Sequence, residues 1–256
     1  MVAPYPLMQR TSLFLRSPGV WIGGALLALL LWLPASGAFF HALFPKLPHP
    51  VYARASFFEL AFAHCILVGL SSGLAAIAGI GTAIFVTRAS GREFFGIANA
   101  IAAIGQTVPP VAVLALSVPL LGYGAAPTLV ALVLYAILPI LENTVTGLEA
   151  VPAAARDAAI GMGFSPWQML SRIELPLAWP FILAGLRTST IINIGTATIG
   201  SSIGALSLGS PIIEGLAANN PAYVLQGALV VAFLAILVDH MFGSLARLAQ
   251  TPQISR

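Results

Sequence analysis

The sequence predicts an all-α polytopic membrane protein, with about six transmembrane helices forming a single domain over residues 1–256. Three observations carry that expectation. Of the 256 residues, 59% are hydrophobic and only 7% charged, and mean hydropathy is +0.96; such a balance cannot give a soluble globule a wettable surface. The apolar residues gather in six runs, each long enough for the roughly 20 helical residues that cross a hydrocarbon core. The basic residues fall between these runs with a strong bias to one side.

The runs cover 20–44, 57–87, 94–120, 127–148, 179–203 and 223–245. In the first, Arg10 and Arg16 precede an apolar stretch and Ser36-Gly37-Ala38 has the look of a cleavage site, a pattern shared with secretory signals. The apolar stretch continues through Phe39, Phe40 and Phe44, which suits a first membrane span. The second and third runs are long enough to tilt or to extend past the bilayer. In the second, Cys65, the only cysteine, excludes an internal disulfide and reads as a small packing residue. In the third, Gln106 and Thr107 directly precede Pro109-Pro110. Prolines release backbone carbonyls that protein or water must satisfy, so a cavity-facing break is expected there. Asn193, Thr196 and Thr198 in the fifth run are polar at membrane depth and would form the opposite wall of a passage, interhelical hydrogen bonding being their other role. Gly69 with Gly73, and Gly200 with Gly204, have close-packing spacing. Asp239-His240, near the end of the sixth run, reads as an interfacial pair packing against headgroups or a partner.

Between the fourth and fifth runs lies a polar segment, 149–178, carrying Arg156, Asp157, Arg172 and Glu174. Pro152 suits the first turn of a helix, and residues 153–159 favour helix strongly. Gly161 and Gly163 end it. Ser165 as N-cap and Pro166 at the first position start a second short helix through Trp167, Met169, Leu170 and Ile173. Pro176 and Pro180 then limit helix continuity before the fifth span. The expected product is a helix, a glycine turn and a helix projecting from the membrane, or an amphipathic element lying on it.

Orientation follows from the eleven basic residues. With the N-terminus cytoplasmic, Arg10, Arg16, Arg88, Arg92, Arg156, Arg172, Arg187, Arg247 and Arg256 lie at or near the cytoplasmic face, and only Lys46 and Arg54 lie outside. Residues 1–18, the C-terminus and the 149–178 loop are then cytoplasmic. This bias accounts for the net charge of +3 without any nucleic-acid partner. The chain has no phosphate-cradling Gly-x-x-x-x-Gly-Lys-Ser/Thr loop. Its histidines, His41, His49, His64 and His240, lack metal-ligand spacing, and Ser201 and Ser202 sit in no nucleophile elbow. No catalytic residue, metal or bound cofactor is expected.

Asp157-Ala158-Ala159, Gly163, Ile173 and Leu175-Pro176 together resemble the Glu-Ala-Ala, Gly, Ile-x-Leu-Pro signature of ATP-binding-cassette (ABC) importer permeases, with Asp157 where the family usually has Glu. The resemblance implies a type I ABC importer-like fold in a bacterial inner membrane. It makes the 149–178 hairpin a coupling element gripped by a cytoplasmic ATPase subunit, which holds the ATP and Mg. Arg156 and Asp157 would then be charged contacts at the rim of the ATPase groove, with Gly163 allowing a close backbone approach. The other implied partners are an extracytoplasmic substrate-binding protein and a second permease, identical or homologous. Residues 105–216 further resemble permeases for glycine betaine, choline, carnitine and similar osmoprotectants, through Gln106-Thr107-Val108-Pro109-Pro110, Leu134-Tyr135-Ala136-Ile137-Leu138-Pro139-Ile140, Asn143-Thr144, Gly185-Leu186-Arg187-Thr188 and Gly195-Thr196-Ala197-Thr198-Ile199. Glu142, where relatives usually carry Arg, and residues 205–209, which replace a more glycine-rich run, depart from that pattern. Tyr123, Tyr135 and Tyr223 are scattered and suggest no aromatic cage for a quaternary ammonium, so selection is expected in the binding protein. The competing readings are a permease for another small solute and an ion-coupled secondary transporter. Against the latter, Glu59, Glu142, Glu214 and Asp239 all sit toward span ends.

Overall fold

Helix is the only regular way to satisfy every backbone group of a single segment in lipid, and the described residues are built accordingly. The computed structural model describes residues 18–250. Arg10, Arg16, Arg256 and most of the expected cytoplasmic N-terminus lie outside them. The chain runs through α1 (Pro18–Trp32), a 3-10 turn and α2 (Gly37–Leu43), then α3 (Phe57–Val86). It continues through α4 (Phe95–Thr107), α5 (Pro110–Leu121) and α6 (Ala125–Glu149). Two short helices follow, α7 (Ala153–Gly161) and α8 (Pro166–Met169), then α9 (Leu175–Thr196), α10 (Gly209–Ala217) and α11 (Pro221–Gln250).

Five helical runs among the described residues are long and apolar enough to span a membrane: Pro18–Ala35, Phe57–Val86, Ala125–Glu149, Pro166–Ile203 and Pro221–Arg247. The third predicted run is instead a pair, Arg92–Thr107 and Pro110–Leu121, bent by 96°. The expected break is thus present, and it turns the chain sharply within a run otherwise expected to tilt or to extend past the bilayer. The first run is also interrupted, by the turn at Leu33–Ala35. The start of α3 follows ordinary capping chemistry: Ser56 Oγ accepts from Glu59 N at 3.1 Å, and Glu59 places a negative charge in the first turn.

α6 is the central post. It packs along α3 and α9 and also contacts α4 and α5, while α11 lies against α9, α10 and α1. Close approach is made with glycines. A Cβ at Gly79 of α3 would stand 2.9 Å from Ile140 Cγ2, one at Gly105 of α4 3.0 Å from the Leu134 carbonyl, and one at Gly185 of α9 2.8 Å from the Pro139 carbonyl. Lipid offers no hydrophobic drive between helices, so contact area gained by removing side chains has to hold them. The glycine pairs singled out by spacing behave differently. Gly69 and Gly73 face open space, Gly200 meets Thr128, and Gly204 is a left-handed residue closing a 3-10 turn. Gly185→Ala is expected to cost about 1–3 kcal/mol, because the methyl meets backbone; thermal unfolding in detergent, compared with Gly69→Ala as a neutral control, checks it.

Two further expectations are corrected. Cys65 is exposed on the outside of α3 instead of packed within it. Pro176 and Pro180 do not interrupt the chain, since helix continues from Pro166 to Ile203. Residues Leu170–Glu174 form a π-turn, whose wider backbone relieves the ring of Pro176.

Candidate coupling site and passage

Local chemistry shapes the hairpin as the sequence suggested. Ser165 Oγ accepts from Gln168 N at 3.3 Å and Gln168 Oε1 accepts from Ser165 N at 2.8 Å, a complete capping box with Pro166 in the first turn. At the other side of the turn, Gly163 N donates to the Ile160 carbonyl and Phe164 N to the Ala159 carbonyl. That pair of bonds is a Schellman closure of α7, and it requires the left-handed backbone found at Gly163, φ +77°. Nothing lies within 4 Å of a Cβ built there, so within this chain the glycine serves the turn's handedness and not a close contact.

Asp157 and Ala158 are exposed on α7 and Ala159 is buried beneath them. Ile160, Met162 and Trp167 are 65%, 64% and 72% exposed, so the hairpin presents an apolar tip beside the Asp157 carboxylate. Ile173 and Leu175 are half-buried and Pro176 is exposed. Arg156, expected at the rim, turns inward. Its Nε donates to Glu174 Oε1 at 3.0 Å and its Nη2 to the Leu148 carbonyl at the end of α6 at 2.6 Å. The second carboxylate oxygen of Glu174 accepts from Arg88 Nη2 at 2.6 Å. Glu174, 4% exposed, therefore ties together the end of α3, the end of α6, the hairpin and the start of α9. A buried carboxylate is retained at such a place only when it is paired on both oxygens.

At the bend between α4 and α5, the two spans repair one another. Pro139 cannot donate to the Tyr135 carbonyl four residues earlier, and Gln106 Nε2 takes that carbonyl at 2.7 Å. In return, the Tyr135 hydroxyl donates to the Val108 carbonyl at the bend. Gln106 is half-buried, whereas Thr107 and Pro109 are exposed and Pro110 is half-buried. The 3-10 extension of α9 reaches the same region: Ile199 and Ile203 pack on Val113 and Leu114 of α5. Thr196 and Thr198 are half-buried and bond back to the carbonyls of Ile192 and Gly195. Asn193 stands apart. It is fully buried, donating to Ser71 and Ser72 of α3 at 3.0 and 3.3 Å, so it takes its packing role and lines no passage in this arrangement. Tyr135→Phe should leave the Val108 carbonyl bare and lower stability by about 1–2 kcal/mol, read as a drop in the melting temperature of the detergent-solubilised chain.

Residues 75–250, more than two thirds of the chain and including the hairpin, the Glu174 contacts and the bent span, match the family of binding-protein-dependent transport system inner membrane components. The chain belongs to this family. The permease is 40% identical over 184 residues to the osmoprotectant import permease protein OsmY of Salmonella typhimurium, covering 72% of this chain and 78% of that one. It is 39% identical over 175 residues to the glycine betaine/carnitine/choline transport system permease protein OpuCB of Bacillus subtilis, covering 68% and 79%. In fold it is similar to a chain of the methionine ABC transporter MetNI crystallised in inward-facing conformations, with a TM-score of 0.68 at 19% identity over 78% of this chain and all of that one. An alginate ABC transporter chain aligns over 97% of the permease with a TM-score of 0.59 at 14% identity.

Several contacts in the permease were not legible beforehand. Asp239, read as half of an interfacial pair with His240, is held bidentately by Arg187 of α9, at 2.6 and 2.7 Å, while His240 packs on Gly19 of α1. At the end of the molecule opposite the hairpin, Glu214 of α10 accepts from the Tyr52 hydroxyl at 3.0 Å and pairs with Arg54 at 3.0 Å. Burial and that hydrogen bond push the Tyr52 phenol up to about 12, so it remains a donor under all ordinary conditions. Gln226 bonds both Tyr52 N and the Pro50 carbonyl, and Asn220 bonds the His49 carbonyl, pinning the loop between α2 and α3 onto α11. Among the described residues, no three His, Cys, Asp or Glu side chains gather as a metal set.

Proposed function

We propose that this permease is the translocating subunit of an ATP-driven importer for quaternary-amine osmoprotectants such as glycine betaine or choline. The observation that carries the reading is the hairpin: an exposed tip of Ile160, Met162, Trp167 and Asp157, backed by a knot of ion pairs to three membrane spans. A surface so apolar marks contact with a partner protein or with the membrane, and the match to the transport-component family favours the partner. The relatives' named solutes supply the substrate class. In this scheme both termini and the hairpin are cytoplasmic. Two permeases, identical or homologous, each seat a hairpin in an ATPase that holds ATP and Mg, and an extracytoplasmic binding protein delivers the solute to the face carrying Tyr52 and Glu214. Asp157, Ala158, Ala159, Gly163, Ile173, Leu175 and Pro176 form the coupling element, with Arg156 bracing it from behind. Gln106, Thr107, Pro109, Pro110, Thr196 and Thr198 border the passage. ATP drives the cycle by binding the two conformations with different affinity.

Uptake of labelled glycine betaine and choline into cells carrying the permease, its ATPase and its binding protein tests the scheme. Uptake is expected, and is expected to vanish when the ATPase is inactivated. Uptake that survives and follows an ion gradient would replace the scheme by a secondary transporter; ATPase-dependent uptake of a different solute would change the substrate alone.

A further inference from the structure

At the hairpin end, a cavity of about 410 Å³ is lined by Arg88, Arg92 and Arg156, with Glu149 and Glu174. Three guanidiniums face two carboxylates, leaving the cavity net positive. Glu174 meets one nitrogen of Arg88 and one of Arg156. A second nitrogen of Arg156 is taken by the Leu148 carbonyl, but Arg88 Nε is buried without a partner, and Arg92 makes no ion pair among the described residues. Arg92 N donates to the Arg88 carbonyl, which closes the turn after α3 and holds both residues at the lining of this one cavity. The set lacks an acceptor with several oxygens, which is the chemistry of a phosphate.

A separate apolar groove lies further along α3, α4 and α6, whose ends border this cavity. It is about 280 Å³ and runs between Ala78 and Thr82 of α3, Ile101 and Gly105 of α4, and Ile137 and Leu141 of α6. Thr82 is six residues before Arg88, and Ala98, which also lines the groove, six after Arg92. At a rise of 1.5 Å per residue the groove therefore begins roughly 9 Å deeper than the arginines. A basic cavity at a membrane boundary, with an apolar groove deeper along the helices that border it, has the two-part polarity of a lipid.

We propose that cavity and groove together bind one anionic phospholipid, its phosphate held by Arg88, Arg92 and Arg156 and one acyl chain lying between α3, α4 and α6. Arg156 belongs to α7, so the bound headgroup touches the element that faces the ATPase. The site is independent of the imported solute. The tighter fit is to a singly or doubly negative headgroup, because a choline headgroup would bring its own cation to the guanidiniums.

Native mass spectrometry of the delipidated permease complex in neutral detergent, titrated with dioleoylphosphatidylglycerol, dioleoylphosphatidylcholine or glycerol 3-phosphate, tests this. One phosphatidylglycerol per permease is expected, bound about tenfold more tightly than phosphatidylcholine, and Arg92→Gln should weaken it about tenfold, the scale of one charge-assisted contact to phosphate. Ile101→Trp, which fills the groove from an exposed position, should also weaken it while the melting temperatures of both variants stay at the wild-type value. Equal binding of the two lipids, or unchanged binding in both variants, overturns the proposal. So does glycerol 3-phosphate binding as tightly as the lipid, since that assigns the arginines to a soluble phosphate.

Discussion

Glu174→Gln is expected to abolish coupled uptake while leaving the chain in the membrane and the ATPase bound. The amide can keep one hydrogen bond, but it cannot neutralise Arg88 and Arg156 together, both of which end on this carboxylate. Removing one partner of a buried, paired charge costs about 3–5 kcal/mol, and the low end applies here because both arginines are about one-third exposed. A loss of about 3 kcal/mol exceeds a hundredfold in an equilibrium between braced and released hairpins. ATP hydrolysis in proteoliposomes should continue near its basal rate with uptake reduced by that order. The double variant Arg156→Gln, Glu174→Gln should be no worse than Glu174→Gln alone, since residues in one ion-pair network do not add. Additive losses would show that Glu174 acts elsewhere.

Gly163→Val is expected to be as severe, for a different reason. Valine at φ +77° costs about 1–2 kcal/mol or more in a left-handed backbone, and the Schellman closure of α7 is lost with it. The tip residues Ile160, Met162 and Trp167 then no longer share one surface. Gly163→Asn separates handedness from bulk, because asparagine tolerates this backbone while adding a comparable side chain. Asparagine should retain most uptake and valine almost none, with equal amounts of both in the membrane. If asparagine is as inactive as valine, the glycine is needed for an approach of a partner to its Cα face, as the sequence first suggested, and the handedness argument fails.

The contrast between legible and hidden features is physical. Residues 57–87 were recoverable because a long apolar run has one meaning in lipid, and the start of the second hairpin helix because Ser165 and Pro166 mark it locally, whereas the part of Gln168 in the cap emerged only from the structure. The bend at Val108 was signalled by Pro109-Pro110, but its angle and its repair by Gln106 and Tyr135 depend on a neighbour about thirty residues away. Glu174 and Arg88 are 86 residues apart, and Arg187 and Asp239 are 52 apart; near-uniform hydrophobicity hides which helical faces meet, so no periodicity reports such pairs. Arg156 was misplaced to the rim for the same reason. Pro176 and Pro180 were read as breaks because the π-turn before them has no local sequence signature.

That uninterrupted passage of helix from Pro166 to Ile203 has a mechanical consequence. Its 38 residues make a rod of roughly 57 Å at 1.5 Å rise per residue, with one end in the hairpin and the other packed on the bent span. A rod of that length pivoting near its middle by about 10° moves each tip by roughly 5 Å, a full helical turn's worth of travel. A swing of the hairpin would then need no chain of intermediary contacts to reach the far side of the bilayer. A small swing imposed at one surface and carried by the whole rod would arrive at the other as a displacement of equal size and opposite sense, the behaviour of a seesaw, and would expose the two mouths in alternation.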